Sequence, residues 1–176
     1  MTIPNLITIG RLFLVPLIIV MIVNASWQIA FILFVAAGIS DAVDGFLAKR
    51  HGMASELGAY LDPIADKVLI VSIYITLAVV GAIPAWLVIL VVARDLMIVA
   101  AVILSWLLDR PVTMAPFVVS KLNTAAQIGF AALALGSRAF GIEPGAVGVV
   151  CELVVALLTL ASVTAYLAFW LRHMAG

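Results

Sequence analysis

Four aspartates, Asp41, Asp44, Asp62 and Asp66, fall in the stretch SDAVDGFLAKRHGMASELGAYLDPIADKVLI, Ser40 to Ile70, with long apolar runs on either side. Asp41 and Asp44 are three positions apart, and Asp62 and Asp66 are four apart. On helices, both spacings put a pair of carboxylates on one face. The short segment from His51 to Glu56 predicts a tight turn, so the two helices that carry the pairs should be antiparallel neighbours with all four acids converging. Carboxylates gathered in a low-dielectric setting repel one another strongly. One or two divalent cations would relieve that repulsion, and hard all-oxygen ligands favour Mg²⁺, Mn²⁺ or Ca²⁺ over zinc. The bland alternative is a set of acids solvated at a membrane surface. Ionisable groups at membrane depth are functional candidates by default, and four at these spacings favour the ion site.

The residues between the acids fit a ligand site. Gly45 and Ala48 follow Asp44, and Gly58 stands one turn before Asp62. Small side chains let a ligand or a neighbouring helix approach the backbone. Pro63 removes a backbone donor and is expected to disturb its helix near Asp62.

The chain offers two further cations that need partners. Arg94 lies ten residues past Pro84, near mid-bilayer by counting along a helix. An unpaired guanidinium there would be costly. Asp95 points about 100° away around the helix and is expected to be a poor partner. That leaves a carboxylate on another helix, or an anion pocket suited to the bidentate fork of arginine. Lys121 should start the fifth helix, where it can bind an anion or snorkel toward headgroups. Arg110 either adds to the same pocket or acts as a positive-inside anchor.

Positioning these residues requires membrane helices. Of 176 residues, 66% are hydrophobic and only 10% are charged, whereas soluble domains carry about 25% charge. Six apolar segments are long enough to span: Asn5 to Val23, Trp27 to Leu47, Leu57 to Gly81, Pro84 to Leu108, Phe117 to Leu135 with Gly136 as a stop, and Val147 to Leu171. The expected fold is therefore an all-α integral membrane protein of six transmembrane helices, in a single domain over residues 1–176. Arg11 interrupts the first apolar run, so that run reads as a retained helix rather than a cleaved signal. With the N-terminus inside, Lys49, Arg50, Arg110, Lys121 and Arg172 fall on the inner side and only Arg138 on the outer. That imbalance places both termini and the aspartates at the cytoplasmic face. Trp27, Trp86, Trp106 and Trp170 lie near predicted helix ends, where aromatic belts form. Zero net charge gives no sign of nucleic-acid binding. The lone Cys151 reads as a small packed hydrophobe.

The string Asp41-x2-Asp44-Gly45-x2-Ala48-Lys49-x8-Gly58-x3-Asp62-x3-Asp66 resembles the signature of the CDP-alcohol phosphatidyltransferases, with every spacing matched. Lys49 replaces the arginine of that family's pattern, keeping the charge but losing the planar fork. The resemblance implies a transferase acting on CDP-diacylglycerol and an alcohol. Asp41, Asp44, Asp62 and Asp66 would hold two divalent ions, Mg²⁺ or Mn²⁺, and Asp66 would also be the general base. Asp44, Gly45, Ala48, Lys49, Gly58 and Asp62 would bind the CDP moiety. A homodimer in the bacterial inner membrane is also implied.

Within that family, GAYLDPIADKVLI, ARDLMIVAAVIL and VSKLNTAAQ resemble the CMP-forming cardiolipin synthases, whose acceptor is phosphatidylglycerol. The glycerol-3-phosphate-using members, which make phosphatidylglycerophosphate, are the alternative. On either reading Arg94, Lys121 and Arg110 are the expected contacts to the acceptor's phosphate. Asn5 and Arg11, which match an "N-x5-R" opening common in the family, are further substrate-contact candidates. Two other classes compete. An ion-coupled transporter would also use buried acids, but the chain has no internal repeat and its acids lie at one face. A scaffold that only packs helices leaves four convergent acids unexplained.

Overall fold

The computed structural model describes the backbone of residues 3–51, 56–108 and 118–175, and the side chains of residues 8–41, 43, 64–108 and 118–174. The described chain is helical throughout: α1 (Ile3–Val23), α2 (Trp27–His51), α3 (Glu56–Val79), α4 (Ala85–Leu107), α5 (Val118–Phe140) and α6 (Gly145–Ala175). The helix is continuous through position 63, so the expected disturbance of α3 is not an interruption. Residues 109 and 110 lie outside the described part, and Arg110 with them.

By internal contacts the chain forms two compact units. The first comprises Met1–Ile83 and Ala131–Pro144, hence α1, α2, α3 and the last part of α5. Its core is built on helical stripes. In α1 the buried positions are Thr8, Arg11, Val15, Ile18 and Ile22, spaced by three or four. In α2 they are Ala30, Phe34 and Ala37, and in α3 Ala65, Leu69, Ile73 and Leu77 with Ile70, Tyr74 and Thr76 beside them. α1 packs against both α2 and α3. Lipid tails are as apolar as leucine, so close packing rather than escape from water must hold such helices together. The fully buried alanines let the backbones approach.

Three helix ends in this unit share one hydrogen-bond pattern. The amide of Ser26 donates to the carbonyl of Met21 at 2.8 Å, that of Ala82 to Leu77 at 2.7 Å, and that of Ile142 to Ser137 at 2.9 Å. The residue before each donor is left-handed: Ala25 at φ 55°, Gly81 at 71° and Gly141 at 65°. This is the Schellman closure, which favours glycine at that position. Two ends have glycine, and the first has alanine.

The expected stop at Gly136 is corrected: α5 runs on to Phe140. A Cβ at position 136 would sit 3.3 Å from Cε2 of Phe31. Glycine there serves the packing of α5 against α2, and the chain ends its helix at Gly141 instead.

The second unit comprises Pro84–Phe130 and Gly145–Gly176, hence α4, the first part of α5, and α6. α4 packs on α6. Its interior is polar for a membrane protein: Arg94, Ser105, Asn123, Gln127, Thr159 and Ser162 are all buried. Trp170 Nε1 donates to Ser105 Oγ at 2.8 Å, tying the ends of α6 and α4.

Outward faces carry the oil. Phe13, Val79 and Trp106 are each exposed by 73% or more, a pattern that a bilayer explains and water does not. Among the described residues α4, α5 and α6 are long and apolar enough to cross a membrane, while α1 and α2 carry shorter apolar stretches, Thr8–Val23 and Trp27–Asp41. The six expected spans are thus matched by six helices, of which three meet the full length and apolarity by themselves.

Candidate active site

The stripes that form the core of the first unit turn polar at one end. Asp41 follows Ala37 by one turn on α2, and Asp66 precedes Leu69 and Ile73 on α3. Thr8 and Arg11 continue the stripe of α1. The register that packs the apolar residues therefore also delivers these three charged groups to one place.

There the Arg11 guanidinium lies between two helices. Its Nη1 is 2.9 Å from Oδ1 of Asp41 and donates a hydrogen bond to Oδ1 of Asp66. Two oxygens that share one donor nitrogen are no more than about 6 Å apart. The Arg11 side chain is wholly buried, whereas the side chains of Asp41 and Asp66 are 45% and 43% exposed. The cation sits inside and the acids open outward. Arg11, expected as a substrate contact, binds the two acids.

Asp44, Gly45, Ala48 and Lys49 belong to α2, and Gly58 and Asp62 to α3. Their side chains, and that of Asn5 in α1, lie outside the described residues. Among the described residues no three potential metal ligands form a cluster. The two acids that are described do fit hard divalent ions: they are oxygen donors from separate helices, close together, with nearly half of each side chain open.

Arg94 anchors a second polar centre, within the other unit. Its Nε and Nη2 donate to Ser162 Oγ at 3.1 and 2.8 Å. Nη2 also donates to Ser120 Oγ at 2.5 Å. Its guanidinium carbon lies 5.7 Å from the centre of the Tyr166 ring. Nη1 donates to Asp95 Oδ1 at 2.6 Å, which corrects the expectation that Asp95 is a poor partner. Cβ directions diverge by about 100° between neighbours, but the four-bond arm of arginine curls back across that angle. Lys121, next to Ser120 on the first turn of α5, is exposed. One turn further, Thr159 Oγ1 donates to Asn123 Oδ1 at 3.0 Å. Ser120, Asn123 and Gln127 recur every three or four residues on α5, as do Thr159, Ser162 and Tyr166 on α6. That period is the signal in the sequence for a buried polar seam.

An apolar, helical chain whose α2 and α3 bring acids together at one end of the first unit agrees with the family that the aspartate signature resembles. The chain belongs to the CDP-alcohol phosphatidyltransferase family, whose model matches residues 1–166. It is 36% identical over 155 residues to a rat protein named cardiolipin synthase (CMP-forming), covering 79% of this chain and 51% of that one. The human protein of that name is 35% identical over 155 residues, covering 79% and 52%. A rice chloroplast protein named CDP-diacylglycerol–glycerol-3-phosphate 3-phosphatidyltransferase 1 is 38% identical over 160 residues, covering 81% and 49%. The chain thus spans about half the length of these relatives.

Proposed function

We propose that this protein transfers the phosphatidyl group of CDP-diacylglycerol to phosphatidylglycerol, forming cardiolipin and CMP. One observation supports the site above all others: Asp41 and Asp66, 25 residues apart in sequence, meet at a single guanidinium nitrogen. In this reading Asp41, Asp44, Asp62 and Asp66 hold two divalent ions, Mg²⁺ or Mn²⁺. When bound, such ions neutralise and orient the diphosphate oxygens.

The chain's own residues do the rest. Asp66 accepts the proton of the acceptor hydroxyl, for which a positioned and partly exposed carboxylate is suited. The hydroxyl oxygen forms a bond to the β-phosphorus, and the bond from that phosphorus to the bridging oxygen breaks. CMP departs with the electron pair. Gly45, Ala48 and Gly58 leave room for the cytidine nucleotide, with Lys49 as a charge beside it. Arg94, Lys121 and Arg110 bind the acceptor's phosphate. Arg94 is already held by two serines and Asp95, so it contributes as a fixed positive charge, while Lys121 is the exposed contact. The active protein is a homodimer in a bacterial inner membrane, with its site at the cytoplasmic face.

Glycerol 3-phosphate is the second candidate acceptor, since the rice relative is as similar as the cardiolipin synthases. Purified protein given CDP-diacylglycerol, Mn²⁺ and equal amounts of the two acceptors decides between them. Cardiolipin as the main lipid product supports the proposal, and phosphatidylglycerophosphate as the main product rejects it. Asp66→Asn should lower the rate by about 10²–10⁴, the usual worth of a general base.

A further inference from the structure

Among the described residues, Arg11 is the one charged side chain of the first unit that is wholly buried. A buried guanidinium is tolerable only when its donors are matched by acceptors. Here Asp41 of α2 and Asp66 of α3 supply acceptors to one of its three nitrogens, Nη1. α1 packs against both of those helices. Arg11 also sits in register with Val15, Ile18 and Ile22, the apolar stripe that fixes how α1 lies on its neighbours. Packing thus fixes where Arg11 lies, and from there its guanidinium reaches one oxygen of each acid.

We propose that Arg11 is a positioning residue that holds Asp41 and Asp66 together from behind, so that the acidic site is assembled before divalent ions arrive. The inference rests on the reading of these acids as ion ligands and goes beyond it by assigning the group that orients them. The contacts to Asp41 and Asp66 each use Oδ1. A carboxylate has two oxygens and about four acceptor positions, so the hydrogen bond from Arg11 does not by itself saturate either acid. The guanidinium places a positive charge between two negative ones, which offsets their repulsion in the ion-free state. Two α-helices whose acids are unbacked would have to bring like charges together during ion binding itself. Groups that hydrogen-bond to ligating side chains from behind typically contribute 10–100-fold to metal affinity.

The test is Mn²⁺ binding to the full chain in detergent, with no nucleotide or lipid substrate, read from loss of the free-ion electron paramagnetic resonance signal. Arg11→Met should weaken Mn²⁺ binding by about tenfold or more. Arg11→Lys, which keeps the charge without the fork, should fall between Arg11→Met and wild type. Ile18→Val, a packing change on the same stripe, should lower thermal stability and leave Mn²⁺ affinity unchanged. Should Arg11→Met not fold, the comparison of Arg11→Lys with wild type decides alone. Equal or tighter Mn²⁺ binding by the Arg11 variants overturns the inference: tighter binding would make Arg11 a competitor of the ions. If Asp66→Asn loses Mn²⁺ while the Arg11 variants keep it, the ion site stands and only the role of Arg11 fails. A wild-type chain that binds no Mn²⁺ removes both.

Discussion

At the scale of single residues, the two arginines that are buried among the described residues are partnered differently. Arg11 is matched by two acids that are themselves part of the candidate active site. Arg94 is matched by Asp95, Ser120, Ser162 and the face of Tyr166. Lysine cannot replace the second set. It has one nitrogen where arginine reaches three acceptors with a rigid fork. Arg94→Lys should lower stability in detergent by about 1.5–3 kcal/mol, the range for hydrogen bonds to charged groups, measured by thermal unfolding followed through helical circular dichroism. If Arg94 also supplies charge to the acceptor, KM for phosphatidylglycerol should rise in the same variant while KM for CDP-diacylglycerol holds. The sequence showed the acids plainly because their spacings repeat the helical period. It hid the arginine contacts, because Arg11 is 30 and 55 positions from its partners and no local period connects them. It misdirected at Asp95, where Cβ geometry was a poor guide to where a long side chain can reach.

At the scale of elements, helix existence followed from runs of apolar residues, and the observed starts of α2, α4 and α6 lie within two residues of the expected ones. Ends were harder. Gly136 looked like a stop, but its lack of a side chain serves Phe31, a contact with another helix that no local pattern reveals. The Schellman ends give a paired test. Ala25 adopts a left-handed conformation that disfavours a Cβ, while Gly81 occupies the same motif without strain. Ala25→Gly should stabilise the protein by about 0.5–1 kcal/mol and Gly81→Ala should destabilise it by about 1 kcal/mol. Opposite shifts of the melting temperature check the assignment. Shifts of the same sign would mean that the two ends are not closed alike.

At the scale of the whole molecule, composition alone pointed to the bilayer, and the outward-facing apolar side chains of every helix agree with it. The basic residues on either side of the helices predict that both termini face the cytoplasm. A reporter active only in the cytoplasm should work when fused after Gly176, and one active only outside should not. Reversed activities would move the aspartates to the opposite face and separate them from cytoplasmic CDP-diacylglycerol.

The central claim is that acids drawn together by helix packing bind divalent ions and thereby activate a lipid diphosphate. Its most direct test is CMP release by the purified chain from CDP-diacylglycerol and phosphatidylglycerol, followed during chelation and then readdition of Mg²⁺ or Mn²⁺. The expected result is no CMP under chelator, recovery on adding either ion, and one cardiolipin formed per CMP. CMP release that persists undiminished in excess chelator, or none at any ion concentration with either acceptor, would contradict it.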